Sequence, residues 1–460
     1  MTDVAIVGAG IAGLATAYEL SRRGVPFVVF ERAARAGGVI LSEEVDGFVI
    51  DGGPDSLLIQ KPDGIALCQE LGLGGRLVAT KPPRIAYVQR GERLHPLPAA
   101  SVLGIPTRIG PFLHSRLFSW PGKVRMAAEL FVPARTDGTD ESIGSFMTRR
   151  FGREATTYLA EPLLAGIHAG DVDRLSLRAL FPRFVDAEQR DGSVLRGFLR
   201  AARAPSSAAS RQEGAFKSLP GGLSELVRTL VGALPSGTVC LNTDVTRISG
   251  SGPFQIDRAR GPAVQARAVV LATPAYVTSA LARDLDADLS RECAAINYAS
   301  AATVALAFRR EAVAHPLNGS GFVVPRVENT GILAGSWLSS KWPHRAPDDA
   351  HVLLRTFAGG ARDPQALDLS DAELVSRSLR ALAPLVGVSG QPLFTKVYRW
   401  PRANAQHEVG HLNRLAAIER AVARHPGLFV TGSAFRGVGI PDCIADARAT
   451  ARQVSEWLQP

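Results

Sequence analysis

The sequence predicts a chain of mixed α/β and α+β class. A parallel sheet wrapped by helices is assembled from distant segments and joined to a mixed-sheet domain and a helical insertion. Three observations predict it. A strand–helix–strand unit opens the chain at residues 4–31, a buried strand occupies 268–274, and a strand followed by a long amphipathic helix closes it at 428–458. The 460 residues leave room for two or three domains. A composition 46% hydrophobic and 21% charged excludes a disordered or collagen-like chain.

Lys and Arg number 52 against 43 Asp and Glu, a net +9 carried almost wholly by arginine, since only six of the 52 are Lys. A guanidinium grips two oxygens at once, so such a surplus suits carboxylates, phosphates or anionic lipid. The Arg codons of a GC-rich genome are the alternative source. Nucleic acid is not an expected partner, because the chain shows no recognised module for it. Cys68, Cys240, Cys293 and Cys443 lie far apart, with no C-x-x-C pair and no histidine at metal spacing. That pattern predicts neither a disulfide framework nor a metal site and fits a reducing cytoplasm. The longest uncharged apolar run, at 268–282, is about 15 residues, short of a membrane span. The chain enters a strand at once, without the pattern of a secretory leader.

Val4-Ala5-Ile6-Val7 is a short apolar, β-branched run, as expected of a strand buried in a parallel sheet. Gly8-Ala9-Gly10-Ile11-Ala12-Gly13 follows. Leu14, Tyr18 and Leu20 continue at helical spacing to Arg22-Arg23-Gly24, a basic last turn with a glycine stop. Residues 25–30 read as a second strand, closed by Glu31, 18 residues past the last glycine. Gly8 permits the tight turn, Gly10 lets a pyrophosphate approach the backbone, and Gly13 lets helix pack on strand. The free amides at the helix start face phosphates, and Glu31 accepts hydrogen bonds from a ribose. Strand, glycines, helix, strand and acid in register make a Rossmann-like dinucleotide-binding unit.

After Glu31 come Arg32 and then Arg35-Ala36-Gly37-Gly38-Val39; Phe48-Val49-Ile50-Asp51-Gly52-Gly53-Pro54-Asp55 follows. Glu-x(3)-Arg-x-Gly-Gly behind the second strand resembles the superfamily of flavin-dependent amine oxidases, phytoene desaturases and porphyrinogen oxidases. The resemblance implies non-covalent FAD, held by residues 8–13, Glu31, Arg32, Gly38, Val39 and the turn Gly52-Gly53-Pro54-Asp55. It also implies a discontinuous FAD-binding domain of the p-hydroxybenzoate hydroxylase and amine oxidase kind, expected over 1–55, 217–275 and 425–460. A substrate domain is expected over 56–91 and 276–424, and a helical, membrane-associating insertion over 92–216.

Between Arg84 and Arg135 eight Lys or Arg are opposed only by Glu92 and Glu129. Leu103, Ile105, Ile109, Phe112, Leu113, Leu117, Phe118 and Trp120 are interleaved as apolar groups expected at the surface. Basic residues beside Trp, Phe and Leu suit a lipid headgroup layer; a solvated helical cap over a core is the other reading. Residues 201–210, rich in Ala, Ser and Pro, predict a flexible boundary. Val245, after a short strand, resembles the family position whose backbone meets the adenine. Leu428-Phe429-Val430-Thr431-Gly432 is a strand ending in glycine, and Ile440-Pro441 opens a helix with Pro in its first turn. Ile444, Ala447, Ala451, Val454 and Leu458 mark its buried face. Such a helix start brings amides and dipole to the flavin edge that gains negative charge on reduction.

Four stretches resemble the oxygen-dependent porphyrinogen oxidase branch in particular. They are Gly437-Val438-Gly439-Ile440-Pro441-Asp442-Cys443, Pro83-Arg84-Ile85-Ala86-Tyr87, Gly321-Phe322-Val323 and Tyr398-Arg399-Trp400-Pro401. The resemblance implies that Arg84 pairs with a propionate and that Gly321, Phe322 and Val323, with Leu333 opposite, clamp a flat ring. Gly432, Val438, Gly439, Ile440 and Trp400 join the cofactor residues. Asp55 is the candidate proton acceptor, while His168, His407 and His411 read as structural or solvated. The implied reaction is six-electron oxidation of protoporphyrinogen IX, or of coproporphyrinogen III, in heme synthesis. It runs in three rounds with O2 as acceptor and releases three H2O2. Lys61 and Arg345 are candidates for the extra carboxylates of coproporphyrinogen; the basic, aromatic insertion leans towards protoporphyrinogen. A cytoplasmic protein resting peripherally on the inner face of the cell membrane is expected, with room for a homodimer and for transient contact with the next heme-pathway enzyme. Two rivals stay open: a flavin oxidase of amines or carotenoids, and a GDP-dissociation-inhibitor-like carrier without flavin. Val39 stands where amine oxidases carry Arg, and their aromatic cage is missing, which counts against the first.

Overall fold

Residues 1–98, 101–102, 105–106, 109–203 and 214–459 are described in the computed structural model of the chain. The first sheet draws its strands from three distant stretches. Their order is Val239–Cys240, Phe27–Phe30, Thr2–Val7, Val264–Leu271, Phe254–Arg258 and Val245–Ser249, with Leu428–Val430 also on Val264–Leu271. The four pairings among the first four strands and Leu428–Val430 are parallel. Helices cover both faces, which is why Val4, Ala5 and Ile6 form an unbroken apolar run with no accessible surface. The second strand starts at Phe27, two residues later than the apolar run suggests, because Pro26 has no amide to donate.

The two ends of the chain meet on one face of this sheet. Leu14, Ala17 and Leu20 of helix Ile11–Arg22 share a core with Ile444, Ala447, Ala451 and Val454 of helix Ile440–Leu458. Helices Ala275–Leu281, Ala287–Ala294 and His411–Ala423 cover the other face.

A second sheet runs Phe394–Ala405, Tyr298–Arg309, His351–Gly359, Ala334–Trp337, Gly321–Val323, Ala86–Arg90, Arg93–Pro96. It is antiparallel except where Gly321–Val323 lies parallel to Ala86–Arg90. Helix Asp371–Val386 closes one face over Val304, Leu306, Leu354 and Trp337; the other face looks towards the first domain.

The third region is mostly helical with its own core, in which Phe146, Phe151, Phe184 and Phe198 pack together. It begins later than residue 92, since Arg93–Pro96 is the edge strand of the second sheet. The apolar groups expected at its surface are mostly internal: Ile105, Phe112, Leu117 and Phe118 are buried, and only Leu113 and Trp120 of that set stay exposed. Ile105 lies in the short strand Ile105–Pro106, Phe112 on helix Ile109–His114, and Leu117 and Phe118 in the link to the next helix, where they join the core around Phe146 and Phe151. Leu103, Arg108 and most of the 201–210 boundary lie outside the described residues, as does the Ile109 side chain.

Candidate active site

Three glycine pairs stack where the parallel strands end. The Gly37 amide donates to the Ala9 carbonyl at 2.8 Å. A Cβ on Gly38 would lie 3.4 Å from Gly10 Cα, and one on Gly53 would overlap the Val39 carbonyl oxygen at 1.9 Å. Gly13 approaches just as closely, since a Cβ there would stand 1.9 Å from the Gly8 carbonyl oxygen. Gly10 differs. Nothing lies within 4 Å of a Cβ built on it, and the amides of Ala12 and Gly13 have no partner among the described residues. Open space lined with unpaired amides at a helix N-terminus suits a diphosphate, so the residues present fit the phosphate end of FAD. Glu31 accepts from the Ala9 and Ala33 amides at 2.8 and 2.9 Å. It braces the turn and keeps lone pairs for a ribose. Arg35 closes the loop by donating to the Gly38 and Ile40 carbonyls at 2.6 and 3.0 Å. Arg32 and Val39 are exposed beside it, and Val245 is buried in the edge strand of the first sheet.

The C-terminal helix joins the same place. Gly432 lies over the first helix, 3.9 Å from Ala12 Cβ to its own built Cβ. Asp442 accepts from the Gly439 amide at 3.2 Å and from Lys61 Nζ at 2.6 Å, while the Ile440 and Asp442 amides are unpaired among the described residues. Burial pushes the Cys443 thiol up to about 12, so it packs as a thiol and is no flavin-linking nucleophile. His407 and His411 stack at 3.8 Å and donate from Nε2 to the Ser433 and Phe435 carbonyls at 3.0 and 2.9 Å. They brace the loop that precedes Val438 and Gly439.

The turn after strand Phe48–Asp51 is held carbonyl by carbonyl. Thr303 Oγ1 and Trp400 Nε1 both donate to the Gly52 carbonyl, at 2.6 and 2.8 Å. Arg355 donates to the carbonyls of Asp51 at 2.5 Å and Gly53 at 2.9 Å. The register places all three on one face of the second sheet, Thr303 opposite Phe357, Ala305 opposite Arg355 and Ala301 opposite Trp400. Next to half-buried Pro54, Asp55 is buried, accepting from Lys341 Nζ at 2.8 Å and Trp342 Nε1 at 3.1 Å, with Arg355 at 3.4 Å.

Two expectations change here. Burial would raise the Asp55 carboxyl, but Lys341 and Arg355 outweigh it and hold it well below the usual carboxylate range. A carboxylate so held takes no proton near neutrality, so Asp55 is a buried anchor rather than a proton acceptor. Arg345 is fully buried against Asp51 at 3.0 Å and donates to the Leu219 and Pro220 carbonyls at 3.1 and 2.9 Å. It cannot meet a substrate carboxylate. Thr303, Arg355, Lys341 and Trp342 escape the sequence reading. The signal for two of them was a lone polar group inside an apolar strand, Ala-Ala-Thr303-Val-Ala-Leu and Val-Leu-Leu-Arg355-Thr-Phe, which requires a partner across the fold.

The same face of the second sheet continues through Phe357, Ala334 and Val323. The helix Glu161–His168 comes down on it at Gly166, where a built Cβ would lie 3.3 Å from Val323. Ala165, Ala169, Ala299 and Leu333 form a small apolar cluster beside it. Phe322 points the other way, since neighbours in a strand alternate faces. Its ring lies over Gly335 and 6.4 Å from Trp337 in the opposite core, which corrects its expected place in a ring clamp. Gly321 has φ +136°, and a Cβ there would strike the Gly335 carbonyl at 2.2 Å, so glycine is required for the strand pairing itself. Arg84 is exposed. Its Nε donates to the Thr80 carbonyl and Oγ1 at 3.0 and 3.1 Å, and its terminal nitrogens have no partner among the described residues. His168 makes no hydrogen bond through its ring among the described residues and lies edge-on to Phe181 at 6.4 Å. Burial, then Lys61, lowers it to about 4, so it is neutral at pH 7.

Comparison with known proteins agrees with this geometry. The model of the family described as flavin containing amine oxidoreductase matches residues 11–455. A coproporphyrinogen III oxidase of Bacillus subtilis (strain 168) is 36% identical over 99% of this chain and 98% of its own. A chloroplastic protoporphyrinogen oxidase of Nicotiana tabacum is 28% identical over 99% of this chain and 86% of its own. The crystal structure of a candidate protoporphyrinogen oxidase from Exiguobacterium sp. 255-15 superposes with a TM-score of 0.88 at 32% identity, covering 99% of both chains.

Proposed function

The chain belongs to the family of flavin containing amine oxidoreductases and is an FAD-dependent oxidase of porphyrin synthesis, and from that premise we propose that its substrate is coproporphyrinogen III. The observation that carries the choice is the 36% identity along both whole chains to a coproporphyrinogen III oxidase, against 28% to a protoporphyrinogen oxidase. The lean towards protoporphyrinogen rests on an aromatic surface on the insertion, yet four of its six described aromatic and aliphatic groups are core. Neither an amine or carotenoid oxidase nor a flavin-free carrier is favoured.

Bound FAD supplies a two-electron acceptor that O2 restores, so six hydrogens leave in three rounds with three H2O2. Residues 8–13, Glu31, Gly38 and Val245 hold its nucleotide half in this reading. Val39, the turn from Gly52 to Asp55, Trp400, Gly432, Val438, Gly439 and Ile440 hold the flavin half. The terminal nitrogens of Arg84, without a partner among the described residues, take one propionate as a bidentate, charge-assisted pair. Val323 and Leu333 offer an apolar wall, as a flat macrocycle needs. Holoenzyme mixed without oxygen with each porphyrinogen in turn tests the choice by the rate at which the visible flavin absorbance is lost. Faster bleaching by coproporphyrinogen III supports it; equal or faster bleaching by protoporphyrinogen IX overturns it.

The same reading puts the protein in the cytoplasm, resting peripherally on a membrane's inner face. Among the described residues no helix is long and apolar enough to cross a membrane. Leu113, Trp120, Val124 and Phe131 are exposed beside exposed Arg93 and Arg116, a pairing suited to anionic headgroups.

A further inference from the structure

Four buried charges and the half-buried Lys341 stand behind the turn from Asp51 to Asp55. Arg345 pairs with Asp51 at 3.0 Å and Lys341 with Asp55 at 2.8 Å. Arg355 is the cation left over. It is 3% exposed, its nearest carboxylate at 3.4 Å is shared with Lys341, and its Nε has no partner among the described residues. Its other contacts are the Asp51 and Gly53 carbonyls and the face of Phe357 at 4.7 Å. The cluster therefore carries a net buried charge of +1. A buried cation that must share its only carboxylate is costly, and this one is placed against a turn whose Gly53 touches Val39, next to the Gly37-Gly38 pair. Fixed positive charge in a dry site stabilises negative charge that arrives there.

We infer that Arg355 is a positioning residue for the flavin, acting through the Gly52–Gly53 turn. It draws the two flanking carbonyls onto the second sheet, away from the cofactor, and supplies the uncompensated charge that favours the reduced flavin. Thr303 shares the first task and not the second, because it grips the Gly52 carbonyl without charge. The inference rests on FAD as cofactor and not on which porphyrinogen is oxidised.

The test uses holoenzyme and two readouts apart from turnover: the midpoint potential against a reference dye, and retention of FAD by its fluorescence. Arg355→Met should shift the oxidised-to-reduced ratio at fixed potential about tenfold towards oxidised, or about 30 mV for two electrons. Arg355→Lys should keep the ratio within threefold of wild type. Thr303→Val should keep it there too while releasing FAD more readily. A shift below threefold in Arg355→Met overturns the inference, as does an equal shift in Arg355→Lys or Thr303→Val. Should Arg355→Met fail to fold, Lys341→Met removes a neighbouring cation and leaves the carbonyl contacts. It must then move the ratio at least threefold in the same sense, and an unmoved ratio overturns the inference. An inactive porphyrinogen assay leaves these readouts intact, so the two failures are distinguishable.

Discussion

Arg84 is exposed, and its two terminal nitrogens have no partner among the described residues, so its loss should touch substrate and little else. Arg84→Ala should cost about 2 kcal/mol of substrate binding, the worth of a charge-assisted pair, which is about thirtyfold in KM. Steady-state kinetics check it, with kcat and the yellow colour expected to hold; an unchanged KM removes Arg84 from the site. Asp55 behaves in the opposite manner, because it is itself buried between Lys341, Trp342 and Arg355. Asp55→Asn leaves Lys341 and Arg355 short of an anion and should cost about 3–5 kcal/mol of stability near neutrality. The folded carboxyl is depressed, so its contribution is complete above the unfolded value of about 3.9 and fades as pH falls below it. Melting temperatures of the two proteins should therefore differ by a constant gap from pH 5 to 7 and converge at lower pH. A gap that persists at low pH would mean that the carboxylate charge is not its source.

At the scale of elements, the glycines of the first turn separate into two kinds. Gly13→Ala drives a methyl into the Gly8 carbonyl and should leave little folded protein. Gly10→Ala meets nothing. The apoprotein should melt within about 1 kcal/mol of wild type, inside the usual range for a surface change, yet retain FAD much less well. Differential scanning of apoprotein together with FAD titration separates the cases. If Gly10→Ala binds FAD normally, the diphosphate lies elsewhere. These elements were legible because their signals are local: glycine spacing, a β-branched run, a 3-4 periodicity from Ile444 to Val454. The side-chain grip on the Gly52 turn was not. Thr303, Arg355 and Trp400 lie some 250 to 350 positions from the carbonyls they hold, and no local pattern records such a pairing. Phe322 shows a subtler loss, since the right segment was found but strand parity, fixed only by its partners, turned the ring to the other core.

For the whole molecule, the legible part was the convergence of both chain ends on one cofactor site; the division into domains was less so. A basic stretch with interleaved Phe and Leu reads the same whether its apolar side meets lipid or its own core, and here most of it meets the core. What remains outside is Leu113, Trp120, Val124 and Phe131. Full-length protein should sediment with anionic vesicles and less with neutral ones, the binding weakening as salt rises. Trp120→Ser together with Val124→Ser should abolish it while leaving the melting temperature unchanged. Sedimentation that survives both changes would place the contact on another surface.

The strand Leu428–Val430 and the helix that follows it have a consequence for how the protein is made. Leu14, Ala17 and Leu20 of helix Ile11–Arg22 are made some four hundred residues before Ile444, Ala447 and Val454 that complete their core, so that core stays open on one side until late in synthesis. A chain stopped short of that point presents an unfinished sheet, prone to stick to its neighbours. Colour in a cell extract would then report chains whose closing helix has been made.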